Sequence, residues 1–396
     1  MLSQHLRSTR HAAQNWLRSL LIVLALNGCG GVDSGGTGAP ITASGPITGF
    51  GSVIINGVHF DETQASITDA DGAVHTSDEL KLGMTTAVTG SSVVTDANGS
   101  HSTATTIVFG SAILGPVESI DAMAKSLVVL GQTVDVNPTT VFESGLSGGL
   151  SALSVGDVVE VYALFDAATN RFTSTRIERK TTVSQYRLRG VVTNLDTAGK
   201  TFNIGTERIS YAGLAATDVP STLANGRFVR VQMQTTQMGG VRTAIKLQDG
   251  VRQMADRDEA RVEGLISAFT SSAQFSVDGV PVDASHATFP AGSAGLGLGV
   301  RVAIKSTTTS DVLVATEVLI KTETDVESEG FELDASISSI DTVGKTLVLR
   351  GVTVDYSGTV DFRNGTIADL AAGKRVEING KLSTDGTKLQ ATRIRF

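Results

Sequence analysis

Residues 335–356 read ASISSIDTVGKTLVLRGVTVDY, and this stretch decides the fold. Apolar residues alternate with others in three short runs, which is the period-two pattern of half-buried strands. The first two runs are separated by residues 341–345, where Gly344 can take positive φ, and the next two by the tight corner Arg350-Gly351. We therefore predict three consecutive strands over residues 336–340, 346–349 and 352–356.

The rest of this segment adds a helical turn and two more strands. Residues 367–372 have the pattern of a short helix that ends at Gly373, and residues 374–379 and 388–395 alternate again. Three strands, a short helix and two strands are the element order of the OB-fold, a five-stranded Greek-key barrel. Apolar residues of the helix, such as Leu370 and its counterpart Leu153, are then expected in the core.

The same plan recurs along the chain. Five segments begin alike, at Gly45, Gly115, Gly190, Gly264 and Ala335, and these starting points are nearly evenly spaced. We predict an all-β protein of five tandem OB-like barrels, each with a short helix between strands three and four. The predicted repeats cover residues 45–110, 111–180, 186–250, 260–322 and 331–396. Candidate linkers are residues 181–186, 249–259 and 322–332. The sequence leaves open whether the repeats pack together or are separate, like beads on a string.

Several of these motifs resemble a repeated bacterial module, the domain of unknown function 5666. They are the opening GPITGFGSVIINGV at 45–58, the hairpins Lys345-Thr346-Leu347 and Lys200-Thr201-Phe202, and Val155-Gly156-Asp157 before the fourth strand. The resemblance covers roughly residues 45–396. It implies tandem modules in a lipoprotein, with no known activity and no functional residues to transfer. The first and fourth repeats depart most, because both lack the Asp-to-Lys first turn.

The amino terminus has the features of an export signal. Arg7, Arg10 and Arg18 precede a short apolar run at 20–26, which is too short to span a bilayer. The following Leu26-Asn27-Gly28-Cys29 resembles the bacterial lipobox, which implies cleavage after Gly28 and acylation of Cys29. The alternative is an ordinary signal peptide with a buried free cysteine. Residues 29–44 are predicted to form a glycine-rich tether. The residue after the cysteine is Gly30 and not aspartate, and the lipobox resemblance therefore implies anchoring at the outer membrane of the envelope.

Charge and composition limit the partners. Removing residues 1–28, which hold three arginines and no acid, takes the net charge from −8 to −11. An acidic chain with few aromatic residues lacks the basic groove and stacking rings that nucleic-acid binding needs. Phe50, Phe202 and Phe275 fall at core positions of strands. We expect a membrane partner through Cys29, a protein or glycan partner in the envelope, and no nucleic acid.

The sequence shows no catalytic set. His59, His75 and His101 lie in the first repeat but far apart in the sequence, unlike the closely spaced ligands of zinc sites, and His286 stands alone. We interpret them as surface histidines. Residues 69–72 and 96–99 resemble fragments of calcium loops, but hairpin turns are the simpler interpretation. We expect no metal, no cofactor and no enzymatic activity.

Cys29 is therefore the one residue to which the sequence assigns a role. The first hypothesis is a membrane-anchored envelope lipoprotein that binds or scaffolds without catalysis. The alternative is a structural spacer or a stress-related envelope protein. An enzyme is less expected, since it would need a polar cleft between modules that no linear motif reveals.

Overall fold

The computed structural model describes residues 40–251 and 255–396. Cys29 and the signal segment lie outside these residues. The described chain is all-β, as predicted, and belongs to one compact unit. None of its helices is long and apolar enough to cross a bilayer.

The first repeat has eight strands, because its first strand is interrupted and two short strands are added. They are β1 Ile41–Pro46, β2 Gly49–Phe50, β3 Val53–Ile55, β4 Val58–Asp61, β5 Ser66–Asp69, β6 Thr85–Gly90, β7 Val94–Asp96 and β8 Gly99–Phe109. The predicted tether therefore extends too far. Ile41 is fully buried and β1 pairs over its whole length with β6, so residues 41–44 belong to the barrel.

The second and third repeats follow the predicted order more closely. Their strands are β9 Ile113–Asp121, β10 Ser126–Val129, β11 Gln132–Asp135, β12 Val141–Phe142, β13 Val158–Asp166, β14 Arg171–Lys180, β15 Tyr186–Asp196, β16 Thr201–Ile204, β17 Glu207–Ser210, β18 Phe228–Met238 and β19 Val241–Asp249.

The fourth and fifth repeats complete the chain. Their strands are β20 Arg257–Ser271, β21 Gln274–Val277, β22 Val280–Asp283, β23 Arg301–Thr309, β24 Val312–Ile320, β25 Phe331–Ser336, β26 Ser339–Asp341, β27 Thr346–Leu349, β28 Val352–Asp355, β29 Asp361–Arg363, β30 Arg375–Leu382 and β31 Leu389–Arg395.

Strand pairing follows the same cycle in each repeat. In the second repeat β9 pairs with β10 and β10 with β11, β11 runs parallel to β14, and β14 pairs with β13, which returns to β9. The corresponding strands of the other repeats pair in the same order. Because the cycle closes, the sheets form small barrels.

The helical elements differ from the prediction. Between strands three and four the structure has short 3₁₀ turns, at Ser77–Glu79, Gly149–Ala152, Ala216–Asp218 and Ile367–Asp369. The fourth repeat has no such turn among its described residues, so the expectation of a helix in every repeat is wrong there. Leu153 and Leu370, which end two of these turns, are buried as predicted.

The α-helix α1, Glu323–Glu329, lies in the predicted linker at 322–332. Thr322 caps its first turn: its hydroxyl accepts from the Asp325 amide, and the Asp325 carboxylate accepts from the Thr322 amide. The sequence predicts a linker at this position and no helix. The capping pair gives it a helix instead.

The predicted Asp-to-Lys turns form by one mechanism in three repeats. Oδ1 of Asp121 accepts from the amides of Met123 and Ala124, and Asp196 and Asp341 accept in the same way. The lysine that ends each turn has φ near +50°: Lys125 at 50°, Lys200 at 49° and Lys345 at 50°. A side-chain acceptor at the first position thus holds a left-handed residue at the last.

The repeats share their cores and edges. One apolar core joins the first and fifth repeats, a second joins the second and third, and a third belongs to the fourth. Phe50, Phe202 and Phe275 are buried in these cores as predicted. Strand β1 pairs in parallel with β20, β2 in parallel with β25, and β9 with β15. The repeats are packed together, and the question that the sequence left open is thereby answered.

Candidate functional site

The packing of the repeats brings together charged residues that are distant in the sequence. Asp71, in the turn after β5, lies between two arginines of the third repeat. Its Oδ2 is 2.9 Å from Nε of Arg187 and its Oδ1 is 3.2 Å from Nε of Arg230. The sequence placed Asp71 in a possible calcium loop or a turn. The turn is correct, because Oδ1 of Asp69 accepts from the amides of Asp71 and Ala73.

The ion pairs continue into the second repeat. Nη1 of Arg187 is 3.3 Å from Oε1 of Glu160, and Nζ of Lys180 lies 2.8 Å from Glu160 and 2.6 Å from Glu178. Arg176 completes the series on Glu178 and also donates to the carbonyl of Leu82 in the first repeat, at 3.1 Å. Three repeats are therefore joined by one alternating chain of positive and negative side chains, which we name the ion-pair cluster.

The electrostatics of this cluster favour the charged forms. Burial alone would raise the pKa of Asp71, but the charges of Arg230 and Arg187 outweigh it and hold the pKa below its usual value. Burial likewise opposes the charge of Glu178, whose pKa is lowered by Arg176 and Lys180. The pKa of Lys180 is raised, because Glu160 and Glu178 outweigh its burial. Asp71, Glu178 and Lys180 are therefore all favoured in their charged forms.

A polar cleft of about 320 Å³ lies beside the cluster, between the first and second repeats. His75 stands in its wall, with Nδ1 2.6 Å from Oε2 of Glu79 and Nε2 3.6 Å from Oδ2 of Asp69. Burial alone would lower the pKa of His75, but the Glu79 hydrogen bond and charge raise it. The His75 bond lowers the pKa of Glu79 to about 2. Across the cleft, burial raises the pKa of the Tyr162 hydroxyl well above its usual value.

This cleft is the feature that an enzyme would require, and it was not visible in the sequence. Its one histidine is hydrogen-bonded to a carboxylate, and within the described part of the chain no hydroxyl donates to it. A nucleophile activated by a base needs that contact. The cleft is lined by charged and polar side chains, among them His75, Glu160 and Lys180.

The other histidines do not join His75. His59 and His101 lie opposite each other on β4 and β8, with ring centroids 5.1 Å apart, and His286 is exposed. The parallel pairing of these two strands brings His59 and His101 together, although they are far apart in the sequence. Across residues 40–251 and 255–396, no three His, Cys, Asp or Glu side chains are grouped to hold a metal ion. Residues 96–99 form a hairpin turn, in which Asp96 accepts from the Asn98 amide.

A second cavity lies where the first four repeats meet. Its volume is about 460 Å³, and β1, β6, β15, β18 and β20 contribute to its wall. Arg189 and Arg230 face it from neighbouring strands, where they are direct register partners. Both cavities are lined by residues of several repeats, so the sequence of a single repeat does not indicate them.

Comparison with known proteins identifies the repeats. The model of the family described as "Domain of unknown function (DUF5666)" matches residues 115–178, 263–318 and 335–395. These segments lie in the second, fourth and fifth repeats, so the fourth repeat fits the family although it lacks the Asp-to-Lys turn. A search of curated proteins finds no match to the chain.

One solved structure with similarity is "drosophila Unr CSD456", from Drosophila. It is 14% identical, covers 53% of this chain and 97% of its own, and has a TM-score of 0.13. This value is too low for the alignment to support any inference about this chain. The second, fourth and fifth repeats match the DUF5666 family model, and the first and third repeats have the same strand cycle.

Proposed function

We propose that the chain is a lipid-anchored protein of the bacterial cell envelope, in which five OB-like modules form one rigid, non-enzymatic binding scaffold. The observation that carries this proposal is the packing of repeats that are not neighbours in the sequence. The parallel pairing of β1 with β20 and of β2 with β25 ties the first repeat to the fourth and fifth.

The strand cycle supports the OB-like character of the modules. In each repeat the third and fifth strands are parallel, which lets the fourth strand return to the first and close a Greek-key barrel. OB-type barrels are known as binding modules for oligomers, and the family model that matches three repeats carries no assigned activity.

The packing of the repeats argues against the alternative hypothesis, in which the protein is a structural spacer. A spacer gains length from modules in a row, whereas here the first repeat binds the edges of two distant repeats. Edge strands that pair with another repeat are also protected from pairing with other proteins. Recognition then belongs to the clefts between repeats, such as the cleft at His75.

The anchor rests on Cys29 and the residues around it. The chain between Cys29 and Ile41 reaches at most roughly 40 Å when fully extended. An acylated Cys29 would thus keep the barrels close to the membrane surface. Two or more acyl chains hold a protein firmly, whereas one holds it weakly.

Two measurements test the proposal. The full chain should partition into the detergent phase of Triton X-114, and Cys29→Ala should leave it in the aqueous phase. A wild-type chain in the aqueous phase would refute the anchor. For the secreted Cys29→Ala protein, small-angle scattering should give a radius of gyration of about 20 Å, whereas a row of five separate barrels would give on the order of 40 Å.

Catalysis is tested in the same preparation. A panel of ester, phosphate and glycoside substrates should show no turnover above background. Turnover that is lost in His75→Gln would overturn the non-enzymatic part of the proposal, because His75 is the one histidine in the polar cleft.

A further inference from the structure

The junction cavity, as we name the 460 Å³ cavity where the first four repeats meet, combines polar and apolar walls. Apolar residues of the second and fourth repeats, among them Ala112, Leu164 and Val262, line it together with Arg189 and Arg230. A cavity of this volume with a few converging polar groups has the character of a small-molecule site.

Each of the two arginines has one terminal nitrogen without a hydrogen-bond partner among the described residues. Arg189 donates through Nε to the carbonyl of Gly250 and through Nη1 to Asp278, each at 2.8 Å. Arg230 donates through Nε to Asp71 at 3.2 Å and through Nη1 to the carbonyl of Ser111 at 2.8 Å. Nη2 of each arginine is buried and has no hydrogen-bond partner among the described residues.

Ser111 adds a third unused group. Its hydroxyl is buried, with the residue only 1% exposed, and its Oγ has no partner in the described part of the chain. Ser111 belongs to the cavity wall, and its own carbonyl is the one that Arg230 binds. A buried polar group without a partner costs about 1–3 kcal/mol, so three of them at one cavity require an explanation.

The acidic residues of the cavity wall are already engaged. Asp278 accepts from Arg189, Glu263 accepts from Nε of Arg301 at 2.8 Å, and Asp249 accepts from Thr222 at 2.6 Å. Among the described residues of the cavity wall, the buried polar side-chain atoms without a partner are two guanidinium nitrogens and a hydroxyl, all of which can donate. Because Arg189 and Arg230 are cross-strand partners, their side chains leave the same face of the sheet, and both residues line the cavity.

We propose that the junction cavity binds a small organic oxyanion, a carboxylate or phosphate group on an apolar body. The oxyanion accepts hydrogen bonds from Arg189, Arg230 and Ser111, and the apolar body lies against Ala112, Leu164 and Val262. Arginine forks match the geometry of carboxylate and phosphate oxygens. The site rests on the packed arrangement of the proposed function, because four repeats supply its wall.

The test is isothermal calorimetry on the full mature chain carrying only Cys29→Ala. The probes are octanoate and octyl phosphate, which differ in the oxyanion, octanol, which lacks it, and inorganic phosphate, which lacks the apolar body. Octanoate or octyl phosphate should bind with one site per chain, and the tighter of the two identifies the headgroup. Octanol and inorganic phosphate should bind at least tenfold more weakly.

Variants separate the site from unspecific binding. Ser111→Ala removes a hydroxyl that has no partner among the described residues, so the fold should tolerate it, and Arg189→Lys keeps the charge but loses the second terminal nitrogen. Each should weaken binding about tenfold, the usual effect of losing a hydrogen bond to a charged group. Arg363→Lys, at an arginine that does not line the cavity, should leave affinity unchanged.

Three results would overturn the inference: no heat with any oxyanion, equal affinity for octanol and octanoate, or unchanged affinity in both Ser111→Ala and Arg189→Lys. The radius of gyration of the same sample distinguishes the two proposals. A compact protein without binding refutes the oxyanion site alone, whereas an extended protein refutes the packed scaffold.

Discussion

The sharpest prediction concerns a glycine that five repeats share. Just before the fourth strand stand Gly83, Gly156, Gly226, Gly299 and Gly373, with φ of 79°, 93°, 84°, 78° and 85°. A left-handed conformation costs about 1 kcal/mol for a residue with a Cβ. Replacement by alanine should therefore cost a similar amount of strain in every repeat.

Surroundings of these glycines differ. A Cβ on Gly226 would meet nothing within 4 Å. A Cβ on Gly83 would lie 3.0 Å from the carbonyl carbon of Thr175 and 3.1 Å from Cβ of Arg176, and closer still to the carbonyl oxygen of Thr175. Thr175 belongs to β14 of the second repeat, so the first and second repeats would have to move apart.

The expected magnitudes follow from these distances. Gly226→Ala should lower the free energy of unfolding by about 1 kcal/mol. Gly83→Ala should lower it by about 3 kcal/mol, because separating two packed backbones by roughly 1 Å adds an overpacking cost of about 2 kcal/mol. The same movement would stretch the hydrogen bond from Arg176 to the carbonyl of Leu82.

Urea unfolding followed by far-ultraviolet circular dichroism measures both variants, since the one tryptophan, Trp16, lies in the predicted signal segment and offers no fluorescence probe of the barrels. Gly373→Ala, which also meets nothing within 4 Å, is a second control. Equal losses in Gly83→Ala and Gly226→Ala would refute the close approach of the first and second repeats. A loss of about 3 kcal/mol in both would show that strain, and not packing, sets the cost.

Three further predictions concern single side chains. Asp71→Asn leaves Arg187 and Arg230 without their shared carboxylate and should cost about 3 kcal/mol in urea unfolding, whereas Asp361→Asn, in an exposed pair, should cost under about 1 kcal/mol; equal costs would contradict the role of the ion-pair cluster. Asp341→Ala should cost about 1 kcal/mol by removing the acceptor of two turn amides, and Asp341→Asn should recover most of it. The pKa of His75 is raised above 6.5, so its stabilisation is complete below that pH and is lost as the pH rises through the folded pKa. The melting temperature of His75→Gln should accordingly fall short of wild type more at about pH 5.5 than at about pH 8.5, and an equal gap at both would argue against the charged His75–Glu79 pair.

Local chemistry made the repeats predictable. Strand alternation, the Asp341-to-Lys345 turn and the glycine before the fourth strand act within a few residues, so each copy can be recognised in isolation. The same reasoning missed α1, because residues 322–332 were interpreted as a linker, whereas Thr322 and Asp325 form a capping pair.

The clefts could not be predicted in this way. Asp71 meets Arg187 and Arg230 only because the first repeat docks on the third, and nothing near Asp71 in the sequence indicates its partners. Ser111 gave no signal either, since an unused hydroxyl is recognised by what surrounds it. Sites between modules depend on docking, which is encoded in surfaces spread over the whole chain.

The pairing of β1 with β20 has a consequence for the order of assembly. Ile41 pairs with Glu259 and Gly49 pairs with Glu332, so each partner lies more than half the chain further on. In solenoid repeats each unit needs only its neighbour, so folding can follow the growing chain. Here the first barrel to emerge during synthesis keeps an open edge until the fourth and fifth have appeared. We expect the search for these distant partners to be the slow step of folding. The chain is then most prone to aggregate while the edge of the first barrel is still exposed.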